Sequence, residues 1–238
     1  MGHFISKDNN LVIYDAPKTG GTTIRFWIYF YLYGKLPEYL TRTDSSNQKD
    51  DLKYIHSPKK FSKILKGYNQ VRFSKYSNKF QKICIYRDPV ERFISCYNDK
   101  IISEGKWKRI PGMKDPLDVD AFIEGIKFLK PKLIWRFKRL LGIGNDQRKN
   151  YINFHFQSLT YHYGNNPNYF DKIFDIKDLD TKLKPFLEDI WNIELPEIHT
   201  RNSDAINQEK IKFLPDDVKN KVIKMYSIDY ESEWSKIL

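Results

Sequence analysis

The stretch LVIYDAPKTGGTTIRFWIYFY, Leu11 to Tyr31, decides how the chain is read. A short apolar run, suited to a buried strand, ends in Pro-Lys-Thr-Gly-Gly-Thr-Thr and passes at once into a long aromatic run of helical length. Strand, glycine-bearing turn and helix in that order build an anion site from backbone amides, because a helix N-terminus presents unsatisfied N–H groups and partial positive charge. Gly20 and Gly21 let the backbone approach closely, Thr22 and Thr23 offer hydroxyls, and Lys18 adds a full charge. Taken alone, the same residues also suit a tight strand-to-helix turn with an exposed lysine. The order departs from the nucleotide P-loop, G-x-x-x-x-G-K-[ST], whose lysine follows the glycines and reaches the terminal phosphates, whereas Lys18 precedes them.

A second segment, ICIYRDPVERFISCYND from Ile83 to Asp99, repeats the layout of apolar strand, bend and helix. Arg87 at the strand end can grip a phosphate with two parallel hydrogen bonds, and Ser95, eight residues on, can reach back as a hydroxyl donor. The alternative is a surface ion pair of Arg87 with Asp88 or Glu91.

The remaining features set bounds. At 238 residues, with 40% hydrophobic and 16% aromatic content, the chain has the material for a packed core and is expected to form one α/β domain over residues 1–238. A net charge of +11 attracts polyanions, anionic lipids and phosphorylated cofactors without choosing among them. Cys84 and Cys96 sit in apolar settings without metal-ligand spacing, so a reducing, cytoplasmic location is expected. The first ten residues lack the apolar centre of a signal peptide, no run has the length to cross a bilayer, and His3 is expected to be disordered. Met1-Gly2 with Ser6 meets the minimal myristoylation pattern, which arises readily by chance.

Along the chain, residues 41–60 read as a polar connection carrying His56, and residues 115–144 as helices. The basic amphipathic segment 131–141 either covers its own core or rests on an anionic membrane surface. YFDKIFDI reads as a further short strand, Leu179 to Trp191 as an amphipathic segment, and the tail after Pro215 as a final helix.

These residues carry a resemblance. PKTGGTT resembles the 5′-phosphosulfate loop, and RDPVERFISCY the 3′-phosphate motif, of sulfotransferases that use 3′-phosphoadenosine 5′-phosphosulfate. NFHFQ, YFDKIFDIKDL, LPEIHTRNSD and MYSIDYESEW are similar to successive blocks of the carbohydrate, Golgi-type group that includes heparan and chondroitin enzymes. The resemblance implies a P-loop-like three-layer αβα domain with a central mainly parallel sheet. It also implies a donor site of Lys18, Thr19, Gly20, Gly21, Thr22, Thr23, Arg87, Ser95 and Arg201, the last beside Asn202 in a loop over the cofactor. Lys18 would lie by the oxygen between phosphorus and sulfur. Negative charge grows on that oxygen as sulfuryl leaves in line, so a preplaced ammonium favours the transition state over the ground state. No metal is expected, since the sequence offers no compact carboxylate cluster. The implied product is 3′-phosphoadenosine 5′-phosphate, and the implied acceptor a hydroxyl of a glycan or glycolipid.

An alcohol acceptor benefits from a base, and five histidines are available. His56 is the first choice, lying between the two donor motifs in the interval where uronyl 2-O-sulfotransferases, which the chain resembles, carry theirs. His155, between phenylalanines in NFHFQ, is the rival and reads more readily as a core residue. His162 and His199 are candidate acceptor contacts. Trp27 and the tyrosines after the first loop are expected to pack against the sheet, while Trp107 suits either packing or a sugar ring. Two other functions stay open. A nucleotide kinase is disfavoured by the displaced lysine, and a binding module for nucleic acid or anionic membrane would fit the charge, although retention of both phosphate motifs argues against it.

Overall fold

The computed structural model describes residues 2–6, 8–36, 79–128, 152, 154–198 and 211–237. His56, with the connection around it, His199, Arg201 and the basic segment 131–141 lie outside these residues. The chain packs as two compact units, Met1–Arg87 with Asn168–Ala205, and Asp88–Pro167 with Ile206–Leu238.

The first unit holds a four-stranded sheet of β1 (Gly2–Ser6), β2 (Leu11–Asp15), β3 (Gln81–Tyr86) and β4 (Lys172–Asp175), side by side in that order. β2, β3 and β4 are parallel, with Ile13 beside Ile83 and Cys84 beside Ile173. Leu11, Ile13, Ile83, Ile85 and Phe174 share a core with Ile24, Trp27 and Ile28 of helix α1 (Gly21–Tyr33) and with Leu187 and Trp191 of the helix Lys184–Trp191. The intervening Val12, Tyr14, Cys84 and Tyr86 are buried too. Burial on both faces is why these strands read as unbroken apolar runs instead of alternating ones. The expected α/β fold with a mainly parallel sheet is therefore present.

The N-terminal strand corrects one expectation. His3 is not disordered: β1 pairs antiparallel with β2, placing His3 opposite Tyr14, and Phe4 packs edge-on against Trp191 at 6.3 Å. Asn9 fixes the hairpin by accepting from Ser6 and Tyr31 and donating to the Ile190 carbonyl. Trp27 and Tyr31 of α1 pack as anticipated, while Tyr33 at its end is exposed. Trp27 is fully buried and donates its indole N–H to the Pro196 carbonyl at 3.1 Å, while Tyr31 stacks on Trp191 at 4.6 Å.

The second unit is helical. Helix α2 (Pro89–Cys96) continues into a π-helical stretch, Tyr97–Ser103, and its Phe93 and Tyr97 join Phe122, Phe156 and Tyr226 in one aromatic core. Centroid separations run from 4.7 Å for Phe122 and Phe156 to 6.5 Å for Phe93 and Tyr226. Such pairs each add about 0.5–1.5 kcal/mol beyond area burial. The fully buried Asp229, inside the block MYSIDYESEW, accepts from the Leu159 and Thr160 amides and from the Thr160 hydroxyl. It thereby caps the helix Leu159–Tyr163 from 70 residues away. The tail after Pro215, expected as one helix, is instead two: Asp216–Met225, with Asp216 and Asp217 in its first turn where carboxylates meet the positive end of the helix dipole, and then Ser227–Glu231.

Candidate anion site at the carboxyl ends of β2 and β3

In open α/β sheets ligands bind beyond the carboxyl ends of the parallel strands. β2 ends at Asp15, and Ala16 to Gly20 form the turn into α1. The Thr19 side chain closes this turn on itself: its hydroxyl donates to the Ala16 carbonyl at 2.9 Å and accepts from the Ala16 amide at 3.2 Å, fully buried. Thr19 thus shapes the loop, with its hydroxyl committed to the backbone.

Lys18 stands in the left-handed region at φ 68°, which costs a residue with a side chain roughly 1–2 kcal/mol. Gly20, at φ 84°, is the N-cap of α1, and a Cβ there would lie 2.8 Å from Leu179 Cδ1. A Cβ on Gly21 would lie 2.6 Å from Asp15 Oδ2. Gly20 is favoured by its left-handed backbone, while at either glycine a Cβ would meet the movable end of a neighbouring side chain. An N-cap glycine brings no side-chain acceptor, and α1 has no acidic residue in its first turn, so its first amides face the loop without a competing carboxylate of their own helix. The nearby acid, Asp15, is held in an ion pair with Arg25 at 2.6 Å.

β3 ends beside β2, and there Arg87 Nη1 donates to the Lys18 carbonyl at 3.3 Å. Arg87 therefore reaches the turn at Lys18 across 69 positions of sequence. Asp88 serves as the N-cap of α2, its Oδ1 accepting from the amides of Val90 at 2.9 Å and Glu91 at 3.0 Å, with Pro89 in the first helical position. This cap contributes about 1 kcal/mol and explains why Asp-Pro follows the arginine. Ser95 lies half-buried on α2.

The chain matches the model of the sulfotransferase family over residues 1–232. It belongs to that family. No curated protein and no solved structure matches it. Sulfotransferases have a P-loop-like fold, which accords with the strand, glycine loop and helix order found here.

Two histidines of this sulfotransferase stand otherwise than their sequence settings suggest. His155 is only half-buried, its ring edge-on to Phe154 at 5.8 Å. The aromatic-bound core histidine is His162, 1% exposed and packed against Phe154 at 5.0 Å and Tyr161 at 5.4 Å. Burial first, then the charge of Arg92, pushes its pKa down to about 3. Neutral and enclosed, His162 is not the acceptor contact proposed from its sequence. Trp107 is half-buried against the aromatic core with Lys108 over its ring at 5.5 Å.

Among the described residues no group of three or more His, Cys, Asp or Glu side chains is arranged to hold a metal, and no helix is long and apolar enough to cross a membrane. The sequence reading missed the Asp15–Arg25 pair across Gly21, and it missed the inward course of Arg92. The signal for Arg92 was its spacing. It lies three residues after Pro89 and four before Cys96, on the stripe of α2 that faces the core.

Proposed function

We propose that this sulfotransferase takes its sulfuryl group from 3′-phosphoadenosine 5′-phosphosulfate and delivers it to a hydroxyl of a glycan or glycolipid. The observation that carries the reading is the Arg87 to Lys18 hydrogen bond, which puts the loop suited to a 5′-phosphosulfate and the arginine suited to a second phosphate at neighbouring strand ends. The residues present fit such a donor: a glycine N-cap, a lysine within the turn, and an arginine able to form charge-assisted bonds. When bound, the donor supplies an activated sulfuryl whose departure leaves negative charge on the bridging oxygen. Lys18 and the first amides of α1 would neutralise that charge from fixed positions, and Arg87, Ser95 and Arg201 would hold the 3′-phosphate and its surroundings.

For the base, His56 is favoured by its place between the donor motifs. A second reading, His155, is favoured by its being only partly buried, whereas the fully enclosed histidine is His162. Calorimetric titration with 3′-phosphoadenosine 5′-phosphate against 5′-AMP tests the donor assignment, and transfer of labelled sulfate to a panel of oligosaccharides and glycolipids tests the acceptor. Binding that requires Mg²⁺, or that shows no preference for the 3′-phosphate, would move the reading to a kinase or a general polyanion binder.

A further inference from the structure

Arg92 is fully buried on the core-facing side of α2. A guanidinium out of water is costly unless its donors are satisfied, and hydrophobic replacements of buried charges are often neutral or stabilising. A charge kept in a core therefore invites the question of what its geometry fixes. Arg92 Nη1 donates to the His155 carbonyl at 3.1 Å, Nη2 donates to the Gln157 carbonyl, and the guanidinium lies over the Tyr226 ring at 5.3 Å. Cys96, one helical turn on, sends its thiol to the same His155 carbonyl at 3.2 Å. A carbonyl oxygen has two lone pairs, and two side chains of α2 occupy those of His155. The backbone of His155 is thus held, and the residue as a whole is only partly buried.

We propose that Arg92 is a positioning residue that sets His155 for proton transfer. The inference rests on the His155 reading of the base given above. Its consequence is that one rigid helix carries both Ser95, assigned to the donor's 3′-phosphate, and the fork that places His155. Lysine cannot replace the fork, because a single ammonium does not span two carbonyls two residues apart as a planar guanidinium does.

The test is a double-mutant cycle on the full chain, with kcat, KM for the donor, and 3′-phosphoadenosine 5′-phosphate affinity as readouts. Arg92→Lys should lower kcat about 10- to 100-fold, the scale for a base displaced by about an ångström, with donor KM and nucleotide affinity essentially unchanged. In the His155→Ala background the same substitution should cost nothing further. Losses that multiply across the two sites, or an unchanged kcat in Arg92→Lys, would overturn the proposal. Should Arg92→Lys not fold, Cys96→Ala removes the other donor to the same carbonyl. It should show a smaller kcat loss that again disappears in the His155→Ala background, and a loss that persists there overturns the proposal as well. If His155→Ala alone keeps full turnover, the His155 base and this role of Arg92 fall together while the donor assignment stands. If the wild type binds no 3′-phosphoadenosine 5′-phosphate, the donor assignment itself has failed.

Discussion

Arg87 and Lys18 are joined by a hydrogen bond from the arginine Nη1 to the lysine carbonyl, 3.3 Å long, between the ends of two adjacent parallel strands. The bond braces the left-handed turn at Lys18, and under the proposed donor reading the same guanidinium would also grip a phosphate.

Replacement of Arg87 by alanine should therefore act twice. The preference for 3′-phosphoadenosine 5′-phosphate over 5′-AMP should vanish, a loss of about 1.5–3 kcal/mol for charge-assisted hydrogen bonds. Affinity for 5′-AMP should also fall by a smaller amount, because the loop loses its brace. Calorimetry with both nucleotides reads the two effects separately. A variant that keeps its preference would remove Arg87 from the 3′-phosphate.

For Lys18, the left-handed backbone allows the charge and the conformation to be separated. Lys18→Ala and Lys18→Gly should both lower turnover about 10²- to 10³-fold, the usual loss of one preplaced transition-state donor. The glycine variant should be the more stable of the two by about 1 kcal/mol, since only glycine adopts φ 68° without penalty. Full activity in either variant would show that the ammonium has no part in the transfer.

His162 predicts a pH dependence of stability. Its folded pKa is lowered to about 3 by burial, below the ordinary imidazole value near 6.5. Between these values the unfolded chain binds a proton that the folded chain does not. Stability at this site is therefore full above about pH 6.5 and falls as pH drops toward about 3. From pH 6.5 to 5 the loss should be about 2 kcal/mol. Urea midpoints at several pH values should fall with pH in the wild type and not through this site in His162→Phe, so the difference between them changes with pH, and parallel curves would show that His162 is not held neutral.

How far the sequence carried these conclusions depends on whether a residue's partner is local. β2, β3, α1 and α2 could be read because each is a short apolar run closed by its own glycine or proline, and Asp88 caps the helix that follows it directly. The loop could be read for the same reason. β1 could not, because Gly2–Ser6 is held by pairing with β2 and by Phe4 against Trp191. His155 and His162 look alike in sequence, each flanked by aromatic residues, and only the packing of the helix Leu159–Tyr163 turns His162 inward. Arg92 was hidden because its acceptors lie 63 and 65 residues away.

The remaining question is which histidine takes the acceptor proton, and a pair of alanine variants decides it. If His56 is the base, His56→Ala should cost about 10²- to 10⁴-fold in rate with nucleotide affinity nearly unchanged. The wild-type rate should then rise through about pH 6.5, the ordinary imidazole value, and that limb should be lost in the variant. On this outcome His155→Ala should lower stability more than turnover, since its ring packs edge-on to Phe154. If His155 is the base, the pattern reverses: His155→Ala stays folded and binds nucleotide but does not turn over, and His56→Ala remains active. The acceptor hydroxyl would then be deprotonated beside the segment gripped by Arg92 and Cys96, so the kcat losses of Arg92→Lys and Cys96→Ala should both depend on the His155 ring.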